Sequence, residues 1–362
     1  MSGDSIEADM RPASLDIRVA CGMAWWKRRR IAQFLEADTA GSLHFTDNAP
    51  EAIAAAGGGL IAVWPSRIPV GLGEAAGDRL VRVEDGFIRS IGLGADLHPP
   101  LSIVVDRGGI YYDPTRPSDL EAILEKAPFP PALLARAEAL IEMIVTRGIS
   151  KYAHEAPVAP AAPRSRRTVL VPGQVEDDLS VKLGGAGVSG NLDLLRHARA
   201  AEPDSHLMFK PHPDVDAGHR RGHVADAEVL RHADEIVRHE SMPSLLARVD
   251  AVHVLTSLTG FEALLRGLDV TVHGQPFFAG WGLTRDLAGG LPRRTRRLTL
   301  AQLVAGALIL YPRYLDPVTE RPCAPEMLLR RFADGWTPKP SWLIRLRRIE
   351  GRIARLLGTV SR

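Results

Sequence analysis

Three acids in a row follow an apolar run near the middle of the chain: Glu176, Asp177 and Asp178, in VPGQVEDD. A carboxylate at the end of a buried strand can attack an anomeric carbon as a nucleophile. The same residues suit a metal ligand, or a helix start, where the dipole favours negative charge. The loop runs on through Gly184, Gly185, Gly187 and Gly190, which let a ligand approach the backbone closely. A second acidic pair, Glu84 and Asp85, stands in EDGFIRS. It suits general acid/base work. Arg89 beside it can grip a carboxylate bidentately. An internal ion pair between Arg89 and either acid accounts for the same pattern.

Phosphate chemistry has its own candidates. Lys210, Pro211, His212 and Pro213 follow the apolar run LMF. The two prolines fix φ on either side of His212 and hold it in an extended loop. Lys210 can sit on a phosphate as a point charge, and His212 can donate to a phosphate oxygen or shuttle a proton. In TSLTGFEALL, Thr256, Ser257 and Thr259 can cap a helix whose free N–H groups suit an anion. Glu262 then falls in the first turns, where it can take ribose hydroxyls. A plain helix cap with no ligand explains these residues equally. There is no Walker lysine, so a P-loop is not supported. The segment GQPFFAGWGLT is rich in glycine and aromatics. It can stack a sugar or a base, or close the domain as a packed loop.

Strands and helices must position these groups. Apolar runs at residues 59–64, 80–83, 103–105, 169–171, 207–209, 251–255 and 270–272 predict buried strands. Residues 31–35, 132–145 and 192–198 predict helices. Their alternation predicts an α/β fold of parallel sheets with helices on both faces. Ligands of such sheets bind at the carboxyl ends of the strands. Residues 155–167, EAPVAPAAPRSRR, read as a linker. This divides the chain into a disordered lead-in over 1–19, an N-terminal α/β domain over 20–154, a C-terminal α/β domain over 168–315 and a helical segment over 316–362. In the last, Trp342, Leu346, Ile349, Ile353 and Leu356 recur at helical spacing among Arg345, Arg347, Arg348, Arg352 and Arg355. A basic amphipathic helix of this kind suits anionic lipid headgroups. It suits docking on its own domain equally well.

The totals narrow the classes. The chain has 362 residues, enough for two α/β domains. Lys and Arg number 45 against 43 Asp and Glu, so the strong basic excess of a nucleic-acid binder is missing. Cys21 and Cys323 are too few and too far apart for a disulfide framework or a zinc site. The first residues carry no basic segment followed by an apolar run, and no stretch is long enough to span a bilayer. A cytoplasmic protein that touches a membrane surface is the expectation.

Taken together and in order, EDGFIRS, PPLSIVVDRGGIYYDPTRPSDLE, VPGQVEDD, KPHPDV, TSLTGFEALLRG, PFFAGWGLT and LVAGALILYPRY resemble the KpsC/LipA family of capsule polysaccharide β-Kdo transferases. The resemblance covers about residues 23–316. The family often carries two transferase modules in one chain; this sequence has one. GMAWWKR and PGQVEDD are more similar to the second module. The resemblance implies two Rossmann-like domains facing a cleft (GT-B-like), CMP-β-Kdo as donor and retention of configuration. It implies a lyso-phosphatidylglycerol glycolipid as acceptor, at the inner membrane and beside the proteins of capsule assembly and export. No cofactor and no metal are implied. Asp178 falls on the family's nucleophile and His212 on its essential histidine. Lys210, Ser257 and Glu262 fall in nucleotide-binding segments, with Gln174, Thr256 and Gly260 among the substrate-binding positions. Glu84 is taken as acid/base, with Asp85 and Arg89 beside it on the substrate. Two other readings stand: transfer of a different CMP-activated acidic sugar, and a non-catalytic capsule assembly scaffold.

Overall fold

The computed structural model describes residues 15–39, 41–88, 98–149 and 166–337. Two sheets carry the fold. The first has seven strands: β1 (Ile17–Cys21), β2 (His44–Phe45), β3 (Leu60–Val63), β4 (Leu80–Asp85), β5 (Ser102–Asp106), β12 (Pro312–Leu315) and β13 (Pro322–Cys323), in the order β13-β12-β5-β4-β3-β1-β2. The second has six: β6 (Thr168–Pro172), β7 (His206–Lys210), β8 (Glu235–Ile236), β9 (Ala251–Val254), β10 (Asp269–Val272) and β11 (Arg285–Asp286), in the order β11-β10-β9-β6-β7-β8.

The second sheet is parallel throughout, as its sequence predicts. Its central strand β6 reads TVLVP and is buried at every residue, as a strand covered on both faces must be. The first sheet corrects the expectation of parallel pairing. Strands β1 to β4 run parallel, but β4–β5, β5–β12 and β12–β13 are antiparallel. Strand β12 comes from the far end of the sequence, so a short-range pattern could not announce it. Its residues 312–314 pair with β5, so the boundary expected after residue 315 follows a strand of the first sheet.

The disordered lead-in expected over residues 1–19 overlaps a strand at its end. Ile17 and Val19 lie fully buried in β1, between β2 and β3. Residues 155–165 of the expected linker and the amphipathic segment 342–356 lie outside the described residues.

Helices cover the sheets where their apolar spacing allows. In Pro131–Thr146, Leu133, Ala137, Leu140 and Ile144 are buried four, three and four residues apart, and a proline occupies the first turn. That helix packs against Leu300–Val304 and the buried π-helical turn Ala305–Leu310. These segments share one apolar cluster with residues of both sheets, including Val104 of β5, Leu170 of β6 and Val252 of β9. Ion pairs reinforce the join. Glu121 takes both Arg293 and Arg294, and Arg294 Nε lies 2.9 Å from its carboxylate.

Candidate functional site

Three of the predicted segments leave adjacent strands at one edge of the second sheet. The VPGQVEDD loop follows β6, the Pro-His-Pro loop follows β7, and the TSLTG turn follows β9. The chain runs outward from β6 through β7 to β8, then crosses back to β9, β10 and β11. The reversal opens a crevice between the carboxyl ends of β6 and β9, the usual ligand position in such sheets. Glycine lets the loops crowd: a Cβ on Gly173 would lie 3.0 Å from the Phe209 ring and 3.3 Å from His212 N.

Asp178 is exposed and stands at the N-cap of helix Leu179–Gly184. Its Oδ1 accepts from Ser180 N at 2.9 Å and from Ser180 Oγ at 2.7 Å. The helix-start reading and the nucleophile reading therefore share one side chain. Its two acidic neighbours are committed elsewhere. Asp177 takes Arg220, and Glu176 accepts Asn191 N at 2.8 Å. Gln174 and Thr256 join the β6 and β9 loops by hydrogen bonds in both directions.

His212 turns one nitrogen inward. Its Nδ1 accepts from Asp214 N at 3.2 Å, capping the short helix Pro213–Asp216, which puts the proton of the neutral ring on Nε2. Lys210 is buried, and its Nζ donates to the Glu240 carbonyl at 2.6 Å and the Arg238 carbonyl at 3.4 Å. It anchors the loop after β8 as well as adding positive charge under the Pro-His-Pro turn.

The TSLTG turn differs from the expected cap. Thr256 pairs with Gln174 instead, while Ser257 Oγ accepts from Thr259 N at 3.2 Å. The helix Thr259–Leu265 buries all seven of its residues, including Gly260 and Glu262. A Cβ on Gly260 would lie 2.7 Å from the Phe278 ring, so this glycine serves packing. The GQPFFAGWGLT loop is packed too. Phe278 and Trp281 are wholly buried, and Trp281 Nε1 donates to the Phe277 carbonyl at 2.8 Å.

From the first sheet, β4 delivers Glu84 and Asp85 at its carboxyl end. Side chains alternate along a strand, so the two acids face opposite ways. Asp85 meets Lys27 Nζ at 3.2 Å, and the same ammonium lies 3.5 Å from the centre of the Trp64 ring. The expected partner Arg89 lies outside the described residues. Lys27, from GMAWWKR, carries no sequence signal as a partner for these acids, because 58 residues separate it from Asp85. Glu84 acts on Tyr112. Burial pushes the Tyr112 hydroxyl well above its ordinary pKa; the carboxylates of Glu84, Asp178 and Asp113 add to the rise, and Arg82 opposes it. One tyrosine thus feels the acid of the first sheet and the acid of the second. Tyr112 lies within the quoted segment GGIYYDP but carries no signal of that role in the sequence.

Residues 61–314 match the family model described as capsule polysaccharide biosynthesis protein. The chain belongs to that family. Among curated relatives it is 47% identical over 242 residues to the capsule polysaccharide modification protein LipA of Neisseria meningitidis serogroup A, covering 67% of this chain and 34% of LipA. It is 45% identical over 239 residues to the lipopolysaccharide-processing protein LpsZ of Rhizobium meliloti, covering 65% of this chain and 54% of LpsZ. The matched part is thus about a third of LipA and about half of LpsZ. Two solved structures are similar over 88% of this chain. Thermosulfurimonas dismutans KpsC, beta Kdo 2,7 transferase, matches over 99% of its own chain at 36% identity and a TM-score of 0.71. The beta Kdo 2,4 transferase of the same protein matches over 98% at 32% identity and a TM-score of 0.75. Among the described residues, no helix is long and apolar enough to cross a membrane.

Proposed function

We propose that this chain is a retaining β-Kdo glycosyltransferase of capsule synthesis, with CMP-β-Kdo as donor and a lyso-phosphatidylglycerol-based glycolipid as acceptor. The observation that carries this reading is the likeness to two solved Kdo transferases along nearly their whole length. The loops at the sheet edge support it. In this reading the second sheet is the CMP-Kdo side and the first sheet the acceptor side of a GT-B-like cleft. The protein works from the cytoplasm, at the inner-membrane surface where the acceptor lies.

The chemistry runs in two displacements. Asp178 attacks the anomeric carbon of Kdo. The bond from that carbon to the phosphate oxygen breaks, its electron pair stays on the phosphate, and CMP leaves. The His212 Nε2 proton and the Lys210 charge stabilise the phosphate that departs. Arg89 holds the Kdo carboxylate. In the second step Glu84 removes the acceptor hydroxyl proton, the oxygen attacks the same carbon, and the ester to Asp178 breaks. Two inversions leave the configuration retained.

The test is the intact mass of the protein after incubation with freshly made CMP-Kdo, with and without acceptor. A Kdo-sized increment that maps to Asp178 and disappears with acceptor is the expected result. No increment and no product, from folded protein and intact donor, sinks the reading. Product analysis fixes the linkage, on which identity and TM-score favour different neighbours.

A further inference from the structure

The Tyr112 hydroxyl is buried and meets no hydrogen-bond partner among the described residues. A buried O–H without an acceptor is costly, and folded proteins keep few of them. Each one that they keep calls for an explanation, and a catalytic or binding role is one. The surroundings of this one are those of the site. The Tyr112 carbonyl oxygen lies 3.6 Å from where a Cβ would stand on Gly184, the last residue of the helix that Asp178 opens. Thr256 touches the same point from the β9 loop. The Tyr112 ring is held edge-on against Tyr111 with centroids 5.2 Å apart. It is therefore a positioned group.

We propose that Tyr112 contacts the substrate, its hydroxyl donating a hydrogen bond to an oxygen of the sugar held between Glu84 and Asp178. This rests on the transferase reading above. The acceptor atom follows from electrostatics. The carboxylates of Glu84, Asp178 and Asp113 act on this hydroxyl against the single guanidinium of Arg82, so a further anion beside it is disfavoured, and a neutral hydroxyl or ring oxygen of the sugar fits. Burial holds the phenol well above its ordinary pKa, so it remains a donor across the working range. The sugar's own carboxylate belongs elsewhere in the site, with a cation.

Tyr112→Phe removes the oxygen and keeps the ring. In the protein without ligand, the melting temperature should hold or rise, because the lost hydroxyl had no partner. With CMP-Kdo and acceptor, kcat/KM should fall on the order of tenfold to a hundredfold, as for one lost substrate hydrogen bond. The rise in melting temperature caused by CMP-Kdo should shrink in the variant, while that caused by CMP alone should not. A variant with full kcat/KM and the full CMP-Kdo shift overturns the proposal. So does a variant destabilised without ligand, because the hydroxyl then had a structural partner. Wild-type protein that transfers nothing sinks the transferase reading and this one together, whereas wild-type turnover with an unaffected variant sinks this one alone.

Discussion

Gln174 and Thr256 exchange two hydrogen bonds across the crevice between β6 and β9: Gln174 Nε2 donates to Thr256 Oγ1 at 2.9 Å, and Thr256 N donates to Gln174 Oε1 at 2.9 Å. A side-chain amide here closes a gap that backbone pairing leaves open. The strands diverge at their carboxyl ends, and the orphaned N–H of Thr256 needs an acceptor.

Gln174→Ala removes both bonds and leaves that N–H without its partner. The expected loss of stability is about 1–3 kcal/mol, read from urea melts. CMP binding should weaken with it, because the two loops border the same crevice. Gln174→Glu keeps the acceptor for Thr256 N and loses only the donor, so it should fall between wild type and alanine. Equal stability in all three proteins contradicts the argument.

Asp178 is both the proposed nucleophile and a helix cap, and the two roles separate by choice of variant. Asparagine caps a helix about as well as aspartate, whereas alanine costs about 1 kcal/mol. Asp178→Asn should therefore melt like wild type and bind CMP, yet lose transfer by on the order of a thousandfold or more. Asp178→Ala should lose transfer equally and also melt earlier. Near-normal transfer by the asparagine variant, assayed for contaminating wild type, rejects the nucleophile.

Much of this was legible in sequence. Strands β6, β7, β9 and β10 of the second sheet are short apolar runs, mostly of valine and leucine, and parallel pairing buries both of their faces, so periodicity is not needed to find them, whereas the two-residue edge strands β8 and β11, EI and RD, carry no such run. Strand β1 carries a weak signal because Arg18, exposed between buried Ile17 and Val19, breaks a short apolar run that follows a polar start. The antiparallel edge was out of reach, because β12 pairs with a strand some two hundred residues earlier. At the site, acids and histidine announce themselves by type, but the division of labour between them is tertiary. Nothing local says that Asp85 meets Lys27 while Glu84, one residue away, acts on Tyr112.

That division predicts different behaviour for adjacent acids. Asp85→Asn weakens a largely buried ion pair with Lys27, whose side chain is only 9% exposed. The expected cost is about 2–3 kcal/mol, since breaking one side of a buried pair strands the other charge. Activity lost by this variant should return as the temperature is lowered. Glu84→Gln should keep its melting temperature and lose transfer at every temperature. The opposite pattern, with Glu84 stabilising and Asp85 purely functional, reverses the assignment of roles.

The buried histidines away from the site predict acid sensitivity. His253 Nδ1 and His273 Nε2 lie 3.0 Å apart between β9 and the end of β10, with His253 wholly buried. One ring donates and the other accepts, as two neutral imidazoles can. Burial pushes both imidazoles down, His273 to about 4, and Arg285 adds to the effect. Arg167 pushes His253 the same way, and His197 does so for His273. Glu202 opposes it, from 3.6 Å at His253 Nε2. Because the folded values lie below the unfolded one, the unfolded chain binds more protons between them. Stability is then full above about pH 6.5 and declines as the pH falls toward 4. For His273 alone the loss between pH 7 and pH 5 is about 2 kcal/mol. His273→Gln keeps a hydrogen-bonding group that does not titrate, so its decline over that interval should be clearly shallower in urea melts. A variant that tracks wild type from pH 7 to pH 5 shows that other groups set the acid limit.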